Sequence, residues 1–312
     1  MKNFTVRELL ESKKDDMLLS LVSDEKTLDN PINFAHLNRP GLALAGFLDR
    51  FSFDRVQVLG ETEVIYLQSL SEEELYEKIK DIFSYSIPCI IVCKGLTLPY
   101  IVVDLANNMN IAILASRLST IKLYNGLARY LNNYFAQEKT IHGTLVDVYG
   151  VGVMLTGKSG IGKSECALDL VTRGHGLVTD DTVTIKVLDD ALVGMPPRKF
   201  GHFMEIRGVG IINIEKMFGI QRVRFNHGID LQIELMPWKD NFDYERLGLV
   251  ANWVEHLGVN IPCINLPVSP GKNVSVIIEV AVMNFILKKN GYHAAEDYAR
   301  ILSDEIKKKT QI

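Results

Sequence analysis

Through residue 137 the chain alternates between two hydrophobic periods. Three short apolar runs, Val56-Gln-Val-Leu59, Ile90-Ile-Val-Cys93 and Ile111-Ala-Ile-Leu114, have the length and β-branched content of strands. Between the first two, Ser71-Glu-Glu-Glu74 is a capping box that predicts a helix through Phe83. From Ser119, the residues Tyr124, Leu127, Ala128, Leu131, Tyr134 and Phe135 recur three and four apart, which is one stripe of a long helix. The pattern reads as an N-terminal α/β domain. It gathers no chemically useful side chains, and its role is not legible.

A boundary is expected within Gln137-Glu-Lys-Thr140, dividing the chain into 1–137 and 138–312. Beyond it, strands Ile141 to Val148 and Val151 to Thr156 flank Tyr149-Gly150, a two-residue hairpin signal. Val148 then pairs with Val151, and an unbroken ladder sets His142 opposite Gly157. Further strands are expected at Leu177 to Thr179, Thr182 to Leu188 and Ile229 to Leu235. Helices are expected from Asn273 to Lys289 and from His293, whose end Lys307-Lys-Lys309 suits a helix C-terminus.

Composition narrows the function classes. The 312 residues are 47% hydrophobic and 23% charged, which excludes wholesale disorder. With 34 Lys and Arg against 38 Asp and Glu, the formal charge is −4, a poor basis for displacing counterions from nucleic acid. Cys89 and Cys93 lie within one apolar run, and Cys166 and Cys263 stand apart, so buried thiols are expected and no metal or disulfide. Met1-Lys-Asn-Phe-Thr-Val-Arg-Glu8 has no apolar core of signal-peptide length, and Val274 to Leu287 is interrupted by Glu279. A cytoplasmic protein without a membrane span is the expectation.

Gly157-Lys158-Ser159-Gly160-Ile161-Gly162-Lys163-Ser164 changes the picture, because it matches G-x-x-x-x-G-K-[ST] in full. It follows an apolar strand and opens an apolar helix, the setting that a phosphate cradle requires. Its glycines let backbone N–H groups turn onto an anion, and the helix start adds its dipole. Lys163 supplies charge for terminal phosphates, and Ser164 offers a hydroxyl to magnesium. A nucleotide or another polyphosphate is the expected ligand.

Asp180-Asp181 ends a short strand in two carboxylates. One acid suits a metal or its water and the other a proton from an attacking hydroxyl, while turn chemistry explains the pair equally well. Met204-Glu205-Ile206-Arg207-Gly208-Val209-Gly210-Ile211-Ile212-Asn213 sets an acid and a base beside two glycines, in a loop able to approach a ligand closely. Pro267-Val268-Ser269-Pro270-Gly271-Lys272 is a turn-rich loop with one cation ahead of a helix.

In one order the chain carries Ile141-His142-Gly143-Thr144, the Gly157 to Ser164 loop followed by Glu165, Arg173-Gly174-His175, Asp180-Asp181, the Glu205 segment, Arg246-Leu247-Gly248 and Pro267 to Asn273. This set resembles the HPr kinase/phosphorylase family of bacteria. The resemblance spans the chain, although its specific motifs all follow residue 141. It implies a bifunctional cytoplasmic enzyme with an N-terminal α/β domain and a C-terminal phosphate-loop domain related to phosphoenolpyruvate carboxykinase. Such an enzyme uses ATP (sometimes pyrophosphate) and Mg2+ to phosphorylate a regulatory serine of the phosphocarrier protein HPr. It removes that phosphate by phosphorolysis, with inorganic phosphate as acceptor and pyrophosphate as product. A homohexamer, with neither nucleic acid nor membrane as partner, is also implied.

By the same resemblance, Gly157 to Ser164 cradle the nucleotide, Lys163 binds phosphate, and Ser164 and Glu205 hold the metal. Asp181 is the acid/base, and His142 and Arg246 are its active-site companions. Met204 to Asn213 serve phosphorylation and dephosphorylation, and Pro267 to Lys272 serve dephosphorylation especially. Two positions depart from the usual pattern: Lys158 replaces a common Asp, and Lys272 a common Arg. The competing classes are a metabolite kinase or carboxykinase-like enzyme, separated by whether a protein serine receives the phosphate, and an adenine-nucleotide-gated switch, separated by ATP turnover.

Overall fold

The computed structural model describes residues 4–197, 201–238, 252–269 and 271–310. The chain divides into two compact units, Met1–Phe135 and Ala136–Ile312.

The first unit contains strands β1 (Leu19–Leu21), β2 (Leu37–Asn38), β3 (Val56–Leu59), β4 (Cys89–Val92) and β5 (Ala112–Ser116). Its helices are α1 (Val6–Lys13), α2 (Gly41–Leu44), α3 (Glu61–Ser69), α4 (Glu72–Phe83), α5 (Tyr100–Asn108) and α6 (Thr120–Phe135). The sheet order is β1-β5-β4-β3-β2, with β2 to β5 parallel and β1 antiparallel. β3 and β4 are buried at every position, as strands covered on both faces must be. One face packs Leu67, Ile79 and Val102 from α3, α4 and α5. The other packs Leu9 of α1 with Leu127 and Leu131 of the anticipated α6 stripe, joined by Leu123, which the stripe did not include. The Ser71 capping box forms, with Ser71 Oγ accepting from the Glu74 amide at 3.3 Å.

The second unit contains β6 (Glu138–His142), β7 (Thr144–Val148), β8 (Val151–Gly157), α7 (Lys163–Thr172), β9 (Gly176–Thr179), β10 (Thr182–Leu188), β11 (Ala191–Met195), β12 (Phe203–Ile206), β13 (Gly210–Asn213), α8 (Ile214–Phe218), β14 (His227–Gly228), β15 (Leu231–Pro237), β16 (Asn252–His256), β17 (Val259–Val268), α9 (Val274–Lys289) and α10 (Ala294–Thr310). A six-stranded sheet runs β16-β17-β15-β8-β7-β9, with β17, β15 and β8 parallel. A second, antiparallel sheet runs β14-β11-β10-β6, and β12 and β13 form a hairpin. α7 and α9 pack on the large sheet through Leu170, Val171, Ile278 and Val282. No described helix is long and apolar enough to cross a membrane.

The Tyr149-Gly150 turn forms as expected. Both residues take positive φ, 54° and 82°, and Val148 pairs with Val151. The ladder does not continue to His142, which corrects the sequence expectation. It ends at Thr144 opposite Leu155, and His142 pairs instead with Thr182 of the second sheet. Gly143 is the cause: a Cβ there would lie 2.7 Å from the Leu155 carbonyl oxygen and 2.9 Å from Met154 Cε. Only a glycine fits where the strand leaves one sheet for the other, so the expected single strand Ile141 to Val148 is two.

Candidate active site

β8 delivers the chain to the glycine loop from the centre of the large sheet. Gly157 has φ of 133°, and Gly162, with φ of 102°, caps α7 in a left-handed conformation that L side chains avoid. The first turn then closes with Cys166 N–H donating to Gly162 O at 2.9 Å. Lys163 folds back over the loop, donating from Nζ to the carbonyls of Gly157 (3.1 Å) and Lys158 (3.3 Å). One ammonium is thereby held above a helix start whose leading N–H groups have no intrahelical acceptors. Behind the loop, burial pushes the Cys166 thiol up to about 11, so it is neutral packing.

Asp180 and Asp181 sit at the corner between β9 and β10. Asp180 is tied down, its Oδ1 accepting from Thr144 Oγ1 at 2.6 Å. Asp181 has φ of 64° and leaves its carboxylate free to act, with the side chain 81% exposed. Its carbonyl accepts from the Gly143 amide at 3.0 Å and lies 3.2 Å from His142 Nδ1. A carbonyl only accepts, so in that contact His142 donates from Nδ1. His142 Nδ1 is also 3.7 Å from Asp181 Oδ1. The two chemical groups meet through the β6–β10 pairing, a route different from the one expected.

The β12–β13 hairpin closes the opposite side. Alternation along β12 sends Met204 into the core and Glu205 outward. A Cβ at Gly160 would lie 3.2 Å from an Arg207 guanidinium nitrogen, so Arg207 overhangs the glycine loop. Ser159, Lys163, Ser164, Asp180, Asp181 and Glu205 all line one cleft of about 350 Å³. Ser164 and Glu205 give it two oxygen donors, the donor type that magnesium prefers.

Pro267 and Val268 end β17, paired with Met236 and Pro237 of β15. The loop beyond them, with Gly271 and Lys272, meets Ile161 and Gly162 around a second recess of about 470 Å³. Lys272 Nζ stands 4.8 Å from the Trp238 ring centroid. Arg246 and Pro270 lie outside the described residues.

Sequence reading missed Thr144, which fixes Asp180. It also missed the partner set of Glu279, which accepts from Arg173 at 2.6 Å and contacts His175 Nε2 at 2.9 Å. A lone carboxylate inside the apolar run 274–287 was the available signal, since buried charges are paired.

The family description "HPr Serine kinase C-terminal domain" matches residues 133–301, and "HPr Serine kinase N terminus" matches residues 4–131. An HPr kinase/phosphorylase from Alkaliphilus metalliredigens is 41% identical over 312 residues, covering 100% of both chains. One from Thermoanaerobacter sp. is 41% identical, covering 93% of this chain and 96% of its own. One from Bacillus subtilis is 42% identical, covering 92% and 93%. Matched along both units at this identity, the chain belongs to the HPr kinase/phosphorylase family of bifunctional enzymes.

Proposed function

We propose that the cleft transfers the terminal phosphate of ATP to a serine of the phosphocarrier protein HPr, and reverses the modification by phosphorolysis. One observation carries the reading beyond family membership: a phosphate-type loop, an exposed Asp181 beside His142, and Glu205 converge on a single cleft. In the forward direction Asp181 accepts the proton of the serine hydroxyl as its oxygen bonds to the γ-phosphorus and the bond to the bridging β-phosphate oxygen breaks, releasing ADP. Lys163 and the loop amides hold and neutralise the phosphates, and Arg207 adds charge at the rim. A magnesium ion held by Ser164 and Glu205 would supply further charge neutralisation.

In reverse, a phosphate oxygen attacks the phosphoserine phosphorus, and the departing serine oxygen takes its proton from Asp181. The products are serine and pyrophosphate. Two anions must then meet, so the cations of Lys163 and Lys272, with Arg246 by family resemblance, offset their repulsion. His142, donating from Nδ1 to the Asp181 carbonyl, keeps Asp181 oriented beside the cleft.

The test is incubation with HPr, Mg2+ and ATP, followed by inorganic phosphate. Phosphoserine should appear and then decline as pyrophosphate accumulates. Release of inorganic phosphate alone in the second stage would replace phosphorolysis by hydrolysis. Phosphate on a small molecule and none on HPr would overturn the proposal.

A further inference from the structure

The first unit contains a site that the transfer chemistry does not use. β4 and β5 are parallel neighbours, yet their outgoing connections part. The chain after β4 leads to α5, which packs with α3 and α4 on one face. The chain after β5 leads to α6, which packs with α1 on the other. In open α/β sheets, adjacent connections departing to opposite faces open a crevice at the carboxyl ends of the strands, and ligands bind there.

The crevice is present as a cavity of about 330 Å³, within the range of small-molecule sites. Val92, Val103 and Ile113 give it apolar walls, and Ser20, Thr97 and Arg117 bring polar groups to it. Its floor is fixed by hydrogen bonds between the two connections: Lys94 N–H to Leu118 O at 2.8 Å and Gly95 N–H to Ser116 O at 2.9 Å. Lys94 and Gly95 both take positive φ, 61° and 65°, folding the chain over the strand ends. A strained non-glycine residue of this kind concentrates at ligand sites. Lys94 itself is paired with Glu61. Arg117 has no hydrogen-bond or ion-pair partner among the described residues.

We propose that this crevice binds a compact organic anion, one carboxylate on an apolar body. The single guanidinium matches a carboxylate's two oxygens, the hydroxyls complete its hydrogen bonds, and the apolar walls take the remainder. One cation in a mainly apolar recess favours one negative charge over a polyphosphate, which belongs at the glycine loop of the other unit.

Hydrogen–deuterium exchange on the full chain tests this, using butyrate, hexanoate and 3-phenylpropionate with their neutral amides as controls. At least one acid should protect peptides spanning 92–98 and 113–120 saturably, and its amide should not. Arg117→Met should weaken that protection by roughly 10-fold or more, as loss of a charge-assisted hydrogen bond does, and Arg117→Lys by less. Val103→Phe, which fills the recess, should abolish it by a route independent of charge. No protection by any of the three acids, equal protection by acid and amide, or undiminished protection in both Arg117→Met and Val103→Phe would overturn the proposal.

Discussion

Asp181 occupies a left-handed backbone position, with φ of 64°, that Asn also tolerates. Asp181→Asn therefore removes the proposed proton acceptor without disturbing the corner between β9 and β10. Turnover should fall in both directions by roughly 10²–10⁴-fold, the usual contribution of a general base, with nucleotide affinity retained in equilibrium titration. Retained phosphorylation of HPr would remove Asp181 from that role. Lys158 is separable in a different way. Its carbonyl accepts from Lys163 and from the Ile161 amide, whereas its side chain adds only charge to an exposed loop. Lys158→Asp keeps the loop's hydrogen bonds and reverses that charge, so nucleotide should bind about 5-fold more weakly, consistent with a surface electrostatic effect near 1 kcal/mol. Equal or tighter binding by the variant would show that Lys158 does not contribute.

Helices α7 and α9 carry the glycine loop and the 267–272 loop at their starts, and they are fastened together twice. Ser275 and Cys166 contact at 3.4 Å near those starts, and Arg173 and His175 hold Glu279 further along. The Arg173 hydrogen bond, opposed by burial and assisted by His175, holds the Glu279 carboxyl below its ordinary 4.5. A carboxyl depressed in the folded state stabilises fully above that ordinary value, and the contribution disappears as pH falls through the folded value. Glu279→Gln should lower stability by about 2 kcal/mol near neutral pH. In acid denaturation the difference from the parent should shrink, and a constant difference down to the acid limb would contradict this origin. Replacing Lys272 with Ala should impair phosphorolysis more than phosphorylation, measured as pyrophosphate release against phosphoserine formation. Equal loss would argue against a direction-specific loop. Elements with a strong local signal were readable before folding: β3 coincides with an apolar run, β10 with the strand expected at Thr182 to Leu188, α4 announces itself by its capping box, and α6 by its stripe. β1, β2 and β14 have three residues or two, too few for any period to register. Pro262 and Pro267 hid β17, because proline cannot donate to a ladder and argues against a strand paired on both sides. The residues of the cleft were legible as motifs, while the contact joining His142 to Asp181 depended on a change of sheet that no residue spacing encodes.

At the scale of the whole molecule, each packed cluster among the described residues draws its members from one side of residue 136: two lie in Met1–Phe135 and two in Ala136–Ile312. A polypeptide of residues 1–135 should accordingly fold alone, with a cooperative thermal transition by circular dichroism, because it owns both faces of its sheet. A non-cooperative melt would refute that autonomy. In the second unit the strand change at Gly143 has a consequence for anyone wishing to transplant this chemistry. The glycine loop alone is portable as β8 and α7, but the imidazole beside it rides on β6 of another sheet and the carboxylate on the corner where β9 passes into β10. The smallest graft that carries the cradle together with the carboxylate, the imidazole and the paired strands that join them runs from Glu138 to Leu188. A graft that begins at β8 loses His142 and the β6–β10 pairing, and with them the contact that holds the proposed proton acceptor in place.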